Sequence, residues 1–400
     1  MGVTFLLSKS KVSETPLPYT ASPLRLMWED IRLFFRRAWS LPGVILPLTP
    51  CNSGDLDELY PSLSNIANLG FQAVLSLLQI LFLLSIPVVI ICMAPSFWVL
   101  AYTGGVIWAN KALCDLVLNR RPSTLASRYP KVEAPEHKHE HWVFVNGIAC
   151  GQTWLQNNID RLGYTFGRKV TGVHNPSTGL IFDVIQCLIQ RDLSYATQDV
   201  RDAYVILRAA LLNPKYTKVV LIGHSQGGIE AGLITDWLLD EIPQGHLRKL
   251  EIFTFGNAAN HFNNPYRTRV DAEKNMSRFT TPQDKQPNEK HDNTILHIEH
   301  YANSRDFVSL WGVLNFTNIK NRFMGQVFVR QGSGHMFNQH YLGTMFPLGP
   351  DRKVLDSNPF MDTEIDIPGS DADGSKVSVR MKVKDLSRLW SYRNGGFPKE

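Results

Sequence analysis

The 400-residue chain predicts an α/β fold: a doubly wound, mostly parallel sheet preceded by an N-terminal membrane-embedded helical hairpin. Three observations predict it. From His141 onward, short β-branched apolar runs alternate with helix-length segments, the pattern of parallel strands covered on both faces. No Asp, Glu, Lys or Arg occurs between Leu59 and Asn110. The stretch "VVLIGHSQGG", Val219 to Gly228, runs from an apolar strand into a helix across a glycine-flanked serine.

In chain order, residues 1–58 form an N-terminal region. Its opening "MGVTFLLSKSK" reads as no secretory signal, because the apolar part is short and no basic residue precedes it. Phe5-Leu6 spoils a myristoylation pattern. "PLRLMWEDIRLFFRRAW" mixes Leu26, Met27, Trp28, Leu33, Phe34 and Phe35 with basic residues. It is expected as an amphipathic helix, lying on lipid or packed on the folded domain.

Residues 59–110 form the membrane segment. Phe71 to Met93 is long enough to cross a bilayer, which needs about 20 apolar residues. Ala94 to Ala109 is short for a crossing, and Pro87 and Pro95 offer bends, so a hairpin or re-entrant pair is expected rather than a buried helix pair. Basic residues flank both sides, Arg32, Arg36 and Arg37 before and Lys111, Arg120, Arg121 and Arg128 after, which puts both ends in the cytosol. The endoplasmic reticulum and the lipid droplet both fit such an integral protein. The five cysteines, Cys51, Cys92, Cys114, Cys150 and Cys187, are odd in number and never form C-x-x-C, as in a reducing compartment.

A polar linker, 111–140, leads into the α/β domain, 141–346. "EHKHEHW" places His137, His139 and His141 at alternate positions; zinc is weighed and a solvated linker preferred, so no metal or other cofactor is expected. Expected strands are His141–Gly147, Arg168–His174, Lys218–Gly223, Leu250–Gly256, Thr294–Ala302 and Gly325–Arg330. Residues 261–293 lack apolar periodicity and read as a mobile polar insertion, with Lys274, Lys285 and Lys290 as exposed tryptic sites. In the C-terminal extension, 347–400, "DADGS" reads as a turn. Val377, Val379, Met381 and Val383 then alternate as one more strand. The net charge of +5 and the lack of basic stretches interleaved with aromatics exclude nucleic acid and favour a lipid bilayer as partner; protein partners stay open.

The quoted serine has a mechanical reading. Gly223 and Gly227 let the chain turn sharply from strand into helix and push the Ser225 hydroxyl out at the carboxyl edge of the sheet. The backbone N–H of Gln226 is then aimed at a developing oxyanion. With "TFGNAAN", "SRDFVS" and a C-terminal His, "GHSQGG" resembles the sequential signposts of lipase-like α/β-hydrolases, particularly the class-3-lipase-like and fungal membrane-anchored hydrolases, from Trp142 to about Phe346. The sequence departs from many class-3 lipases in having Gln226 rather than Leu after the serine.

In such hydrolases an acid and then a His follow the serine in chain order. Asp306, just past a late strand, is the expected acid, while Asp236 and Asp240 read as helix charges. His335, straight after Gly-Ser-Gly, is the favoured base and His340 the alternative; His224, His297 and His300 sit in the elbow or in a strand. The second oxyanion donor is expected from the turn after the first parallel strand, at the N–H of Ile148 or Ala149. Cys150 beside them reads as a small hydrophobe. The resemblance implies a membrane-associated serine hydrolase acting on a lipid or other hydrophobic ester. A thioesterase, an acyltransferase or a silent scaffold on the same fold are the alternatives.

Overall fold

In the computed structural model, residues 2–8, 20–92, 96–119, 122–267, 292–370 and 376–398 are described. The strands are β1 (Val3–Ser8), β2 (Thr124–Ala126), β3 (Glu140–Val145), β4 (Val170–Val173), β5 (Lys218–His224), β6 (Leu250–Phe255), β7 (Tyr266–Arg267), β8 (Asp292–Asn293), β9 (His297–Asn303), β10 (Gly325–Arg330), β11 (Glu364–Ser370) and β12 (Lys376–Lys382). Eight of them form one sheet in the order β1-β10-β9-β6-β5-β3-β4-β2. The strands from β10 to β4 run parallel, and β1 and β2 close the two edges antiparallel.

Alternation along the strands sends side chains to two cores. Val143, Val145, Val219 and Leu221 face one, under α6 (Leu180–Leu193), α7 (Gln198–Leu212) and α8 (Gln226–Glu241). Trp142, Phe144, Val220 and Ile222 face the other, under α5 (Gln152–Phe166) and the segment after β10. Met361, Val383, Leu389, Trp390 and Tyr392 fill this second core, so the stretch after 347 covers the sheet rather than trailing from it.

The N-terminal region is likewise built in. Besides the β1 edge strand, α1 (Pro23–Arg37) lays Leu26, Asp30 and Leu33 against the domain. Asp30 meets Arg191 of α6 at 2.7 Å, both buried, and the Phe34 ring packs 4.9 Å from Phe307. The opposite face of α1 exposes Leu24, Trp28 and Phe35, followed by Trp39. Docking on the domain and an apolar outer face therefore coexist in one helix. A short helix, α2 (Pro42–Ile45), follows.

The uncharged stretch 59–110 lies in α3 (Leu63–Cys92) and most of α4 (Ser96–Val117), and α3 is long and apolar enough to cross a membrane by length and composition. Pro87 does not end α3: the helix runs through it, since proline forfeits one i→i−4 bond that flanking turns can bridge. Pro95 and the α3–α4 connection lie outside the described residues. Helix α4 extends into the expected linker, which also supplies β2.

Two expectations need amendment. Residues 261–264 are not a surface insertion: Phe262 is fully buried, 5.0 Å from the His300 ring and bridged to Phe323, because its apolar ring fills the gap beside β9. The rest of that insertion, 268–291, with its three lysines and a glycosylation sequon at Asn275, lies outside the described residues, as does "DADGS". The three alternate histidines do not share a strand face. His137 is in a 3-10 turn against Phe397, and only His141 lies in β3, beside Tyr216.

Candidate active site

Ser225 sits between β5 and α8 with φ 59° and ψ −119°, a backbone region that non-glycine residues rarely occupy. The flanking glycines are needed for space. A Cβ on Gly223 would fall 2.6 Å from the Gly227 carbonyl oxygen, and one on Gly227 would fall 2.3 Å from that of Val145. Strand, turn and helix are pressed together there, and the serine is extruded at the carboxyl end of β5. The strand order turns back between β5 and β3 at this point, where open α/β sheets bind ligands.

Asp306 follows β9 and is fully buried. One carboxylate oxygen accepts the backbone N–H of Val308 at 2.9 Å. The other accepts from His335 Nδ1 (2.9 Å), Tyr341 OH (2.7 Å) and Ser309 Oγ (2.9 Å). Burial alone would raise this carboxyl, but the His335 imidazole and the three side-chain donors outweigh it and hold Asp306 below the ordinary carboxylate range. Because the ionised carboxylate can only accept, His335 donates to it through Nδ1–H, leaving Nε2 as the ring nitrogen not engaged by Asp306. That Nε2 is buried, without a hydrogen-bond partner among the described residues, and His335 lines the same cavity as Ser225. The Ser225–His335 hydrogen bond is itself open in this structure, a state common in sites without substrate.

His340, the alternative base, is differently engaged. Its Nε2–H donates to the Pro47 carbonyl at 2.7 Å and its Nδ1 accepts the Met336 N–H at 3.0 Å. Burial pushes it down to about 4, so it is a neutral strut with both nitrogens occupied. His224 is another strut: its Nε2–H donates to the His335 carbonyl at 2.8 Å, and burial pushes it down to about 3. His300 is a core residue bonded to Thr254 and Met324. Gly256 supplies the floor, where a Cβ would lie 2.9 Å from His335 Nδ1.

The turn after β3 approaches Ser225 closely: a Cβ on Gly147 would fall 3.0 Å from Ser225 Oγ. Of the two candidate donors there, Ala149 is already committed, its N–H donating to Asp183 at 3.0 Å. Ile148, the other, has no N–H partner among the described residues and lines the cavity beside Ser225. The Gln226 side chain explains the departure from Leu. It accepts from Asn175 and donates to Gln190, each at 2.6 Å, and Asn175 is tied back to Asn146, so buried amides brace the start of α8 against the β3 turn. The Cys150 thiol, buried nearby, is pushed up by desolvation and is a poor nucleophile.

Three sets of site residues escaped sequence reasoning. Helix α2 clamps the histidine loop through its backbone, with Gly334 N–H donating to Gly43 O at 2.7 Å and His335 N–H to Val44 O at 3.0 Å. Glu58 accepts the N–H groups of Asn338 and Gln339 at 2.9 and 3.2 Å, capping the π-helical segment Phe337–Leu342 that follows His335. Burial first, then neighbouring Asp57, push the Glu58 carboxyl up to about 7 against those two donors.

The third set is on α3, where Asn65, Gln72 and Gln79 recur every seven residues and so share a face. Asn65 accepts Trp154 Nε1 at 2.9 Å, Gln72 donates to Ala149 O at 3.2 Å, and Gln79 donates to Thr178 O at 2.7 Å. Amides recurring at that spacing in an uncharged apolar run were the available signal.

No protein-family model matches the chain, and no curated protein matches it in sequence. Among solved structures, a Trichoderma reesei cutinase in complex with a C11Y4 phosphonate inhibitor is similar over 46% of this chain and 74% of its own, at 14% identity and a TM-score of 0.23. So distant a likeness carries no weight for the site.

Proposed function

We propose that the protein is a membrane-associated serine hydrolase of the α/β-hydrolase type that cleaves a lipid or other hydrophobic ester through an acyl-enzyme on Ser225. One observation carries the reading: a serine in a strained strand-to-helix turn shares a cavity with a histidine whose Nδ1–H is bound to a buried carboxylate and whose Nε2 has no hydrogen-bond partner among the described residues. In this mechanism Ser225 Oγ attacks the ester carbonyl as His335 Nε2 takes its proton. The Gln226 and Ile148 N–H groups receive the oxyanion. Collapse breaks the carbonyl–alkoxy bond, the proton passes to the leaving alcohol, and water activated by the same nitrogen releases the acid. Asp306 stays ionised throughout and stabilises the imidazolium.

The anchor fits a monotopic arrangement. The amide face of α3 is held on the domain as far as Gln79 and Phe82. The remainder, Leu84 to Cys92, rises about 14 Å at roughly 1.5 Å per residue, about half of a ~30 Å hydrocarbon core. A hairpin in one leaflet returns both ends to the cytosol, so the sequon at Asn315 stays unmodified while alkaline carbonate fails to strip the protein. Glycan on Asn315 would place the domain in the lumen.

The test of function is a fluorophosphonate probe on the full chain in membranes. Wild type is labelled covalently and Ser225→Ala is not, at unchanged melting temperature. Labelling of Ser225→Ala at the wild-type rate, or none of wild type, would sink the assignment.

A further inference from the structure

The cavity at Ser225 has a volume of about 640 Å³, and its walls are almost wholly apolar. The α/β domain makes only part of it. Helix α6 contributes Leu180, Ile181, Val184 and Ile185, α2 contributes Val44 and Ile45, and the membrane helix α3 contributes Leu83. Ile45, Leu180 and Ile185 both line the cavity and are exposed, so the mouth opens among them. Next to Leu83, Leu84 is 67% exposed on the face of α3 that points away from the domain. The exposed Trp28, Phe35 and Trp39 of the α1 region precede the same α2 wall. The opening is therefore bordered by the surfaces most suited to lipid, one of them the membrane helix itself.

The volume limits the occupant. At about 640 Å³ it lies within the roughly 300–1,000 Å³ in which proteins hold one small ligand, and a single long acyl chain suits so apolar a space. Ser225 and His335 stand at the reacting end, and the carboxyl on the wall, Glu58, has both oxygens committed to backbone N–H groups, so it offers a head group no open acceptor.

Resting on the hydrolase reading above, we propose that this cavity is an acyl tunnel with lateral access from the bilayer: a single long-chain acyl ester slides between α2, α6 and Leu83 of α3, its chain threading to Ser225 while its head group stays at the membrane surface. Specificity then lies in the chain, and the membrane helix is one wall of the binding site as well as an anchor.

The test uses full-length protein reconstituted in phosphatidylcholine vesicles, with palmitoyl and acetyl esters of one fluorogenic alcohol. The palmitoyl ester is cleaved at least tenfold faster in the enzyme's own bilayer than when carried in separate protein-free vesicles. Leu83→Trp and Val184→Trp, narrowing the tunnel from α3 and from α6, lower the palmitoyl-to-acetyl ratio of kcat/KM at least tenfold, whereas Leu84→Trp, on the outward face, leaves the ratio as in wild type. Fluorophosphonate labelling of each variant reports an intact Ser225. Labelled variants with an unchanged ratio, or equal rates from own and separate vesicles, overturn the tunnel and leave the hydrolase reading standing. Absence of labelling and of both activities in wild type overturns both.

Discussion

The two sides of Ser225 are held by different means. On the base side, Asp306 gathers four donors, three of them on one oxygen, and the histidine loop is stitched to α2 by backbone hydrogen bonds. On the oxyanion side, the Ile148–Ala149 turn is shaped by side chains: Asp183 takes the Ala149 N–H, and Gln72 of α3 donates to its carbonyl. Ala149 has φ 55°, a strained value that persists only while such partners hold it. The backbone stitches of the base side survive a change of side chain, whereas the restraints on the Ala149 turn are themselves side chains. The base side is thus held by α2 and the loops after β9 and β10, and the oxyanion side is shared with α3.

The largest expected effect breaks the base side at its centre. His335→Ala and Asp306→Asn should each lower kcat by on the order of 10³ to 10⁴, since the serine loses its base or the base loses its orientation. His340→Ala removes only the strut to Pro47 and Met336 and should cost on the order of tenfold. Steady-state rates on a soluble acetyl ester distinguish them. Near-normal turnover by His335→Ala beside an inactive His340→Ala would transfer the base to His340 and undo the contrast drawn above.

An intermediate effect concerns pH. Glu58, 3% exposed, binds its proton up to about pH 7 in the folded chain but only to about 4.5 when unfolded. Its protonation therefore stabilises the fold fully below pH 4.5, and this contribution, at most about 3 kcal/mol, is lost as pH rises through 7. Between pH 5 and 8 the melting temperature of wild type should fall more steeply than that of Glu58→Gln. Parallel slopes would mean that Glu58 titrates normally and does not govern the histidine segment.

Much of this was legible in sequence where chemistry depends on local spacing. Gly223, Ser225 and Gly227 announce their turn because only glycine fits those contacts. Asp306 and His335 each follow an apolar strand, and parallel strands deliver such residues to one edge. What was hidden depends on backbone atoms or distant pairing. The α2 clamp uses the carbonyls of Gly43 and Val44, which any residue carries, and β1 pairs with β10 across more than 300 residues, where its own six residues look like a frayed terminus. Helix α1 could be read two ways because one face packs on the domain while the other leaves Leu24, Trp28 and Phe35 exposed. Gln72 and Gln79 had a signal, amides in an apolar run, but its meaning required knowing which loop they meet.

The effect that sharpens the comparison most is no larger than that of His340→Ala and reaches the site only through α3. Gln72→Leu keeps the size of the side chain and the apolar character of α3 but removes the donor to Ala149 O, while Asn65 and Gln79 still hold the helix on the domain. The Ala149 turn then loses one of its two restraints, and the neighbouring Ile148 N–H drifts from the position an oxyanion would occupy. The loss falls on the transition state rather than the bound ester, so kcat should drop about tenfold, near 1.4 kcal/mol, with KM nearly unchanged. The pH profile of kcat should keep its apparent pKa, because the Asp306–His335 pair is untouched. Asn65→Leu, which loosens the same helix at Trp154 but not at the turn, should change kcat less than Gln72→Leu for an equal loss of melting temperature. Equal losses of kcat from the two substitutions, or a shifted pKa in Gln72→Leu, would mean that the membrane helix merely holds the domain together and that the oxyanion side belongs to the domain as well.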